Sequence, residues 1–141
     1  MIMRGRHGLK SWSSTQKSIT LSSGEAELVS VVKMSCEVLG MLQLMEEWGM
    51  THYGRVLVDS SAALGVVKRR GNGKMRHVRV GQLWVQEKNE NGELAYEKVK
   101  GTENPSDLMT KHLSGSEIQR HMKALGQRYW DGRATRGLRI D

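Results

Sequence analysis

The chain has 141 residues, with 22 Lys and Arg against 15 Asp and Glu, a formal net charge of +7 and a pI near 9.8. That length suits one domain, and a hydrophobic share of 38% with no Phe, nine Met and four Trp sets a modest core in which Met carries much of the large apolar volume. One cysteine, Cys36, excludes an internal disulfide framework and suits a reducing compartment.

Residues 1–10 form a basic segment that contains Gly5 and Gly8. It lacks the apolar stretch of a signal peptide. Trp12 is placed on a short strand, with Ser13 to Gln16 as a turn. Lys17 to Ser22 alternates polar and apolar, which predicts a half-buried strand. Gly24 to Trp48 is the strongest helix. Leu28, Val32, Cys36 and Leu39 make one apolar stripe, and Val31, Met34, Val38, Met41 and Met45 make a second. The wide face they form should pack on a sheet, with Cys36 as a small buried residue. Ser22 or Ser23 can cap the start, Glu25 sits in the first turn where the helix dipole favours it, and Gly49 ends the helix.

Arg55 to Val58 is a short apolar run, expected to be a central strand. Ser60 or Ser61 can cap a helix over Ala62 to Lys68. Lys68 to Lys74 is a basic, glycine-rich loop. Val78 to Asn89 reads as a helix with Val78, Leu83, Trp84 and Val85 inward. Asn91-Gly92 is a turn, and Leu94 to Val99 alternates as a strand. Pro105 fits the first turn of a helix to about His112. Ser116 to Leu125 is a last helix, stopped by Gly126. The tail from Gln127 is polar and carries Arg128, Arg133, Arg136 and Arg139. Mixed strands and helices imply an α/β layer fold.

No apolar run approaches the roughly 18 residues of a membrane span. A soluble intracellular protein, cytoplasmic or nuclear and without a membrane partner, is the expectation. The positive charge favours an anionic partner, nucleic acid first.

Three acids sit at the edges of elements. Asp59 follows Val56-Leu57-Val58, and ligands gather at the C-terminal ends of strands in open α/β sheets. A turn or cap residue before Ala62 is its plain alternative. Glu27 shares a helix face with Val31, Met34 and Val38, where an acid is costly unless paired or bound to metal. Glu25 shares much of that argument, and periodicity does not separate the two. Asp107 opens the Pro105 helix. Several carboxylates suit Mg²⁺. Two such ions about 4 Å apart can activate water and stabilise the leaving oxygen of a phosphodiester. The loop Lys68 to Lys74 would then hold a nucleic-acid backbone.

Four motifs stand in order along the chain. They are Ser11-Trp12-Ser13-Ser14-Thr15-Gln16-Lys17-Ser18-Ile19-Thr20-Leu21-Ser22-Ser23-Gly24-Glu25-Ala26-Glu27-Leu28, then Leu57-Val58-Asp59-Ser60-Ser61-Ala62-Ala63. Arg76-His77-Val78 follows, with a helix and Asn91-Gly92-Glu93-Leu94 after it, and Pro105-Ser106-Asp107-Leu108-Met109-Thr110-Lys111 closes the set. This ordered set, over about residues 8 to 126, resembles the ribonuclease H segment of copia-type retrotransposon Pol polyproteins. The resemblance implies a ribonuclease H-like mixed sheet flanked by helices. It implies hydrolysis of the RNA strand of RNA–DNA hybrids with Mg²⁺ or Mn²⁺. Of the family's four carboxylates, it assigns the second to Glu27 rather than Glu25, the third to Asp59 and the fourth to Asp107. These three are the expected catalytic and metal-binding residues, and Lys68, Arg69, Arg70, Lys74, Arg76 and His77 the expected nucleic-acid contacts.

The departures also carry weight. The family's first aspartate lies on a strand ahead of the Trp12 segment, and residues 1–58 contain no aspartate. Ser60 stands where the family usually has Asn, and Arg79 where it usually has Asp. The expected organisation is a basic segment over 1–10, a partial ribonuclease H-like domain lacking its first strand over 11–126, and an Arg-rich tail over 127–141. Without that strand, ladder partners and apolar cover are lost. Residues 1–10 would substitute in part, or the rest of a Pol polyprotein or another subunit would supply the strand, or the isolated chain would be unstable. Activity is expected to be weak or absent. The alternatives are a non-catalytic nucleic-acid-binding remnant and a purely structural one.

Overall fold

The helix expected from the double apolar stripe forms over Ser23–Glu47, α1, in the computed structural model, which describes residues 1–16, 19–73, 78, 80–127 and 129. Ser22 caps it by accepting the Glu25 N–H at 3.2 Å. Gly49, at φ +73°, takes the left-handed conformation that stops it. By length and composition alone α1 could cross a membrane. In the folded chain Leu28 and Val31 are buried in a core shared with strands and helices.

The described residues make a mixed α/β chain of four helices and two small sheets. They fall into two compact units, one of Ser14–Thr102 and one that joins Met1–Ser13 to Glu103–Asp141.

In the Ser14–Thr102 unit, β3 (Gly54–Val58) pairs in parallel with β4 (Leu94–Lys98). Parallel strands need a long crossover, which α2 (Ser61–Val67) and α3 (Val80–Glu90) supply. Gly54, Val56, Val58, Leu94 and Tyr96 are buried, while Arg55, Leu57, Ala95 and Glu97 are exposed. One face of the sheet is therefore covered. The apolar run at 56–58 suggests burial on both faces, yet among the described residues β3 pairs with β4 alone and Leu57 stays 54% exposed.

Cys36 corrects another expectation, for it is exposed. The stripe that enters the core passes through Ser35 instead, which is fully buried. Its hydroxyl donates to the Val31 carbonyl at 2.8 Å and lies 2.8 Å from the Tyr96 hydroxyl, so the buried polar group is satisfied.

The strand expected over Lys17 to Ser22 is not seen among the described residues there. Residues 11–16 and 19–22 contain no strand, Ile19 and Leu21 are exposed, and Lys17 and Ser18 lie outside the described residues. Residues 1–10 do not join the β3–β4 sheet. They pair with themselves as an antiparallel hairpin, β1 (Ile2–Arg4) and β2 (His7–Lys10). The two-residue turn Gly5-Arg6 has Gly5 at φ +60°, which suits a tight hairpin of right-handed twist. A short hairpin satisfies its own backbone groups at small loop-closure cost.

The same unit holds a 3₁₀ helix at Pro105–Met109 and α4 (Gly115–Ala124). The Pro105 segment is shorter than the expected helix to His112. It ends where the Thr110 N–H donates to the Asp107 carbonyl at 3.2 Å. Ser114 and Glu117 form a capping box at the start of α4. Beyond its end, the Gln127 N–H donates to the Met122 carbonyl and the Gly126 N–H to the Lys123 carbonyl, with Gly126 at φ +67°. That is a Schellman closure. Among the described residues, Ile2, Asp107, His121 and Leu125 are this unit's buried side chains.

Candidate carboxylate site

Asp59 lies where β3 leaves the sheet, half-buried, one residue ahead of the α2 cap. The Ser60 hydroxyl accepts the Ala63 N–H at 3.2 Å, so Ser60 is occupied as a cap. Parallel pairing places Val58 opposite Lys98, which brings the C-terminal ends of β3 and β4 to one edge. From there the Lys98 ammonium donates to the Asp59 carbonyl and to the Ser61 hydroxyl, the latter at 2.8 Å. Lys98 was not anticipated from sequence. Its alternation with Leu94 and Tyr96 gives its side, but the register that puts it beside Asp59 is a tertiary fact.

The start of α1 comes to the same place. A β-carbon built on Gly24 would stand 3.2 Å from Cβ of Ala62, so the first turns of α1 and α2 touch. The stretch that carries Glu25 and Glu27 thus runs past the strand end that carries Asp59. The two acids differ. Glu25 is buried, at 7% exposure, and its carboxylate accepts the Leu21 N–H at 2.8 Å. Glu27 is exposed. The buried acid of this turn is therefore committed to the backbone ahead of the helix, while Glu27 faces solvent.

Asp107 belongs to the other unit. It is 8% exposed, in the Pro105–Met109 turn, and the Lys111 ammonium meets its carboxylate at 3.0 Å. Such a contact offsets part of the cost of burying the charge.

Of the expected nucleic-acid contacts, Lys68 is exposed at the end of α2. Arg69 is half-buried and donates to the Asn72 carbonyl. Its guanidinium fills the space beneath Gly73, where a β-carbon would lie 2.5 Å from it. Arg70 is exposed and pairs with Glu90 on α3. Lys74, Arg76 and His77 lie outside the described residues. The described part of the loop is also held from α3, because the Gln86 amide binds both the N–H of Gly71, at 3.0 Å, and its carbonyl, at 3.1 Å. Gln86 was likewise not anticipated.

Among the described residues, no group of three or more His, Cys, Asp or Glu is gathered so as to hold a metal ion.

The chain is 29% identical over 115 residues to the "Retrovirus-related Pol polyprotein from transposon TNT 1-94" of Nicotiana tabacum. The match takes in 79% of this chain and 9% of that polyprotein, so the chain spans a small part of its relative. The similarity supports a retroelement-derived chain. No protein-family model matches, and no solved structure matches.

Proposed function

We propose that this chain is a ribonuclease H-like segment derived from a copia-type Pol polyprotein, and that Glu27, Asp59 and Asp107 are what it keeps of a carboxylate set for Mg²⁺ or Mn²⁺. The observation that carries the reading is the approach of Gly24 in α1 to Ala62 in the first turn of α2, the helix that follows β3. It brings the turn that bears Glu27 to the strand end that bears Asp59, the edge at which α/β folds hold their ligands. The similarity to a Pol polyprotein and the excess of positive charge support the same reading.

The activity of the parent family is hydrolysis of RNA in RNA–DNA hybrids, with the metal activating water. Residues 1–58 contain no aspartate to stand for the family's first. Turnover by the chain alone is expected to be weak or absent. A second reading, a nucleic-acid-binding remnant without catalysis, is favoured by the net charge of +7.

The deciding experiment is cleavage of a labelled RNA–DNA hybrid by the purified chain with Mg²⁺, Mn²⁺ or EDTA, beside Asp59→Asn and Glu27→Gln. Metal-dependent cleavage lost in both variants supports the hydrolytic reading. Hybrid binding that falls steeply with salt but ignores the metal supports the second. Cleavage unchanged in Asp59→Asn overturns the assignment of that residue.

A further inference from the structure

A second feature, in the other unit, bears on nucleic acid without any carboxylate. A cavity of about 360 Å³ opens where the β1–β2 turn meets the end of α4, lined by Arg6, Gln119, Met122, Lys123, Gly126, Gln127 and Tyr129. No carboxylate is among these lining residues. Two cations, two side-chain amides, a thioether and a phenol ring remain. Tyr129 is 69% exposed, so a face of its ring is open to a partner.

The C-terminal end of a helix normally repels anions through its carbonyls. In α4 the Schellman closure spends the carbonyls of Met122 and Lys123 on the N–H groups of Gln127 and Gly126. The Lys123 and Arg6 side chains add positive charge beside them. The closure also takes the Gly126 and Gln127 amides out of any phosphate cradle of the kind that tight mononucleotide sites use. Charge from flexible side chains, an exposed aromatic ring and an open rim are the parts of a site that tracks a strand.

We propose that this cavity binds single-stranded nucleic acid, with a backbone phosphate held by Arg6 and Lys123 and a base stacked on Tyr129. The proposal goes beyond the hydrolytic reading and does not depend on it, because no metal takes part.

The test is fluorescence anisotropy of a labelled oligothymidylate titrated with the full chain in EDTA over a series of salt concentrations. The Arg6→Gln, Lys123→Gln double variant should flatten the plot of log affinity against log salt by about 0.7, the share of one phosphate contact on a single strand. Tyr129→Ala should weaken binding roughly 5- to 150-fold and Tyr129→Phe should not, since the ring carries the stacking. Arg55→Gln, on the other unit, should change neither quantity. The proposal is overturned if the chain does not bind, or if Tyr129→Ala and the Arg6→Gln, Lys123→Gln double variant bind as the parent does. Equal affinity for thymidine monophosphate would overturn the strand as the ligand in favour of a single nucleotide. Hybrid cleavage in a separate assay would leave these outcomes untouched.

Discussion

Tyr96 donates its hydroxyl to Ser35 across the packing of β4 on α1, at 2.8 Å. The direction follows from proton count. Ser35 has one hydroxyl hydrogen and gives it to the Val31 carbonyl at 2.8 Å. The two partners should therefore differ when removed. Ser35→Ala strands a buried phenol O–H, at a cost of about 1–3 kcal/mol. Tyr96→Phe leaves Ser35 bonded to Val31 and should cost less, about 0.5–1.5 kcal/mol. Urea denaturation of both variants gives the order, and a larger loss in Tyr96→Phe would refute the assigned direction.

The same tyrosine makes stability fall in alkali. Burial pushes its phenol above the ordinary value. A group raised in the folded state is neutral there while the unfolded chain already ionises. Its contribution is complete below the usual value of about 10 and is lost as pH rises through the folded value. Urea midpoints should drop above that point in the parent chain and drop less in Tyr96→Phe. Equal slopes would show that Tyr96 ionises as freely as in the unfolded chain.

Gly54 opens β3 beneath α1 with no room for a side chain. A β-carbon there would stand 2.5 Å from Cδ2 of Leu94, 2.9 Å from Cγ1 of Val38 and 3.0 Å from Cδ1 of Leu42. Gly54→Ala must displace core side chains and should destabilise the Ser14–Thr102 unit by about 1–3 kcal/mol. Adding Leu94→Val relieves the closest clash, so the double variant should lose less than the sum of the two single changes. Additive losses in the four proteins would rule out the Gly54–Leu94 contact as the cause.

Local signals in the sequence carried most of the elements. The Ser22 cap, the two apolar stripes, Gly49, Asn91-Gly92 and Gly126 mark boundaries that the structure keeps within a residue or two. What depends on partners did not read through. Ile19 and Leu21 alternate like a strand, but alternation supplies no ladder partner, and both are exposed. Val56-Leu57-Val58 reads as a central strand, but centrality belongs to the neighbours. Asp59 stands at the strand end as the apolar run implied. The preference for Glu27 over Glu25 came from resemblance, whereas burial distinguishes Glu25. Lys98 and Gln86 became visible through register and crossover, which no local pattern encodes.

The capping box of α4 gives a prediction of the opposite pH sign. Ser114 donates its N–H to the Glu117 carboxylate at 2.8 Å and its hydroxyl at 2.7 Å. Those bonds hold the Glu117 carboxyl below its usual value. A group lowered in the folded state contributes stability above the ordinary carboxylate value of about 4.3, and loses it as pH falls through the folded value. Ser114→Ala removes the cap at about 1 kcal/mol near neutral pH. Glu117→Gln keeps the capacity to bond the cap N–H but no longer titrates. Melting of the parent, Ser114→Ala and Glu117→Gln should be followed between neutral and acid pH, with helix content as the signal. The parent should lose α4 helicity in acid more steeply than Glu117→Gln, and Ser114→Ala should start lower and fall less. An identical acid slope in the parent and Glu117→Gln would mean that other carboxylates govern the transition and that the Ser114–Glu117 bonds add nothing to it.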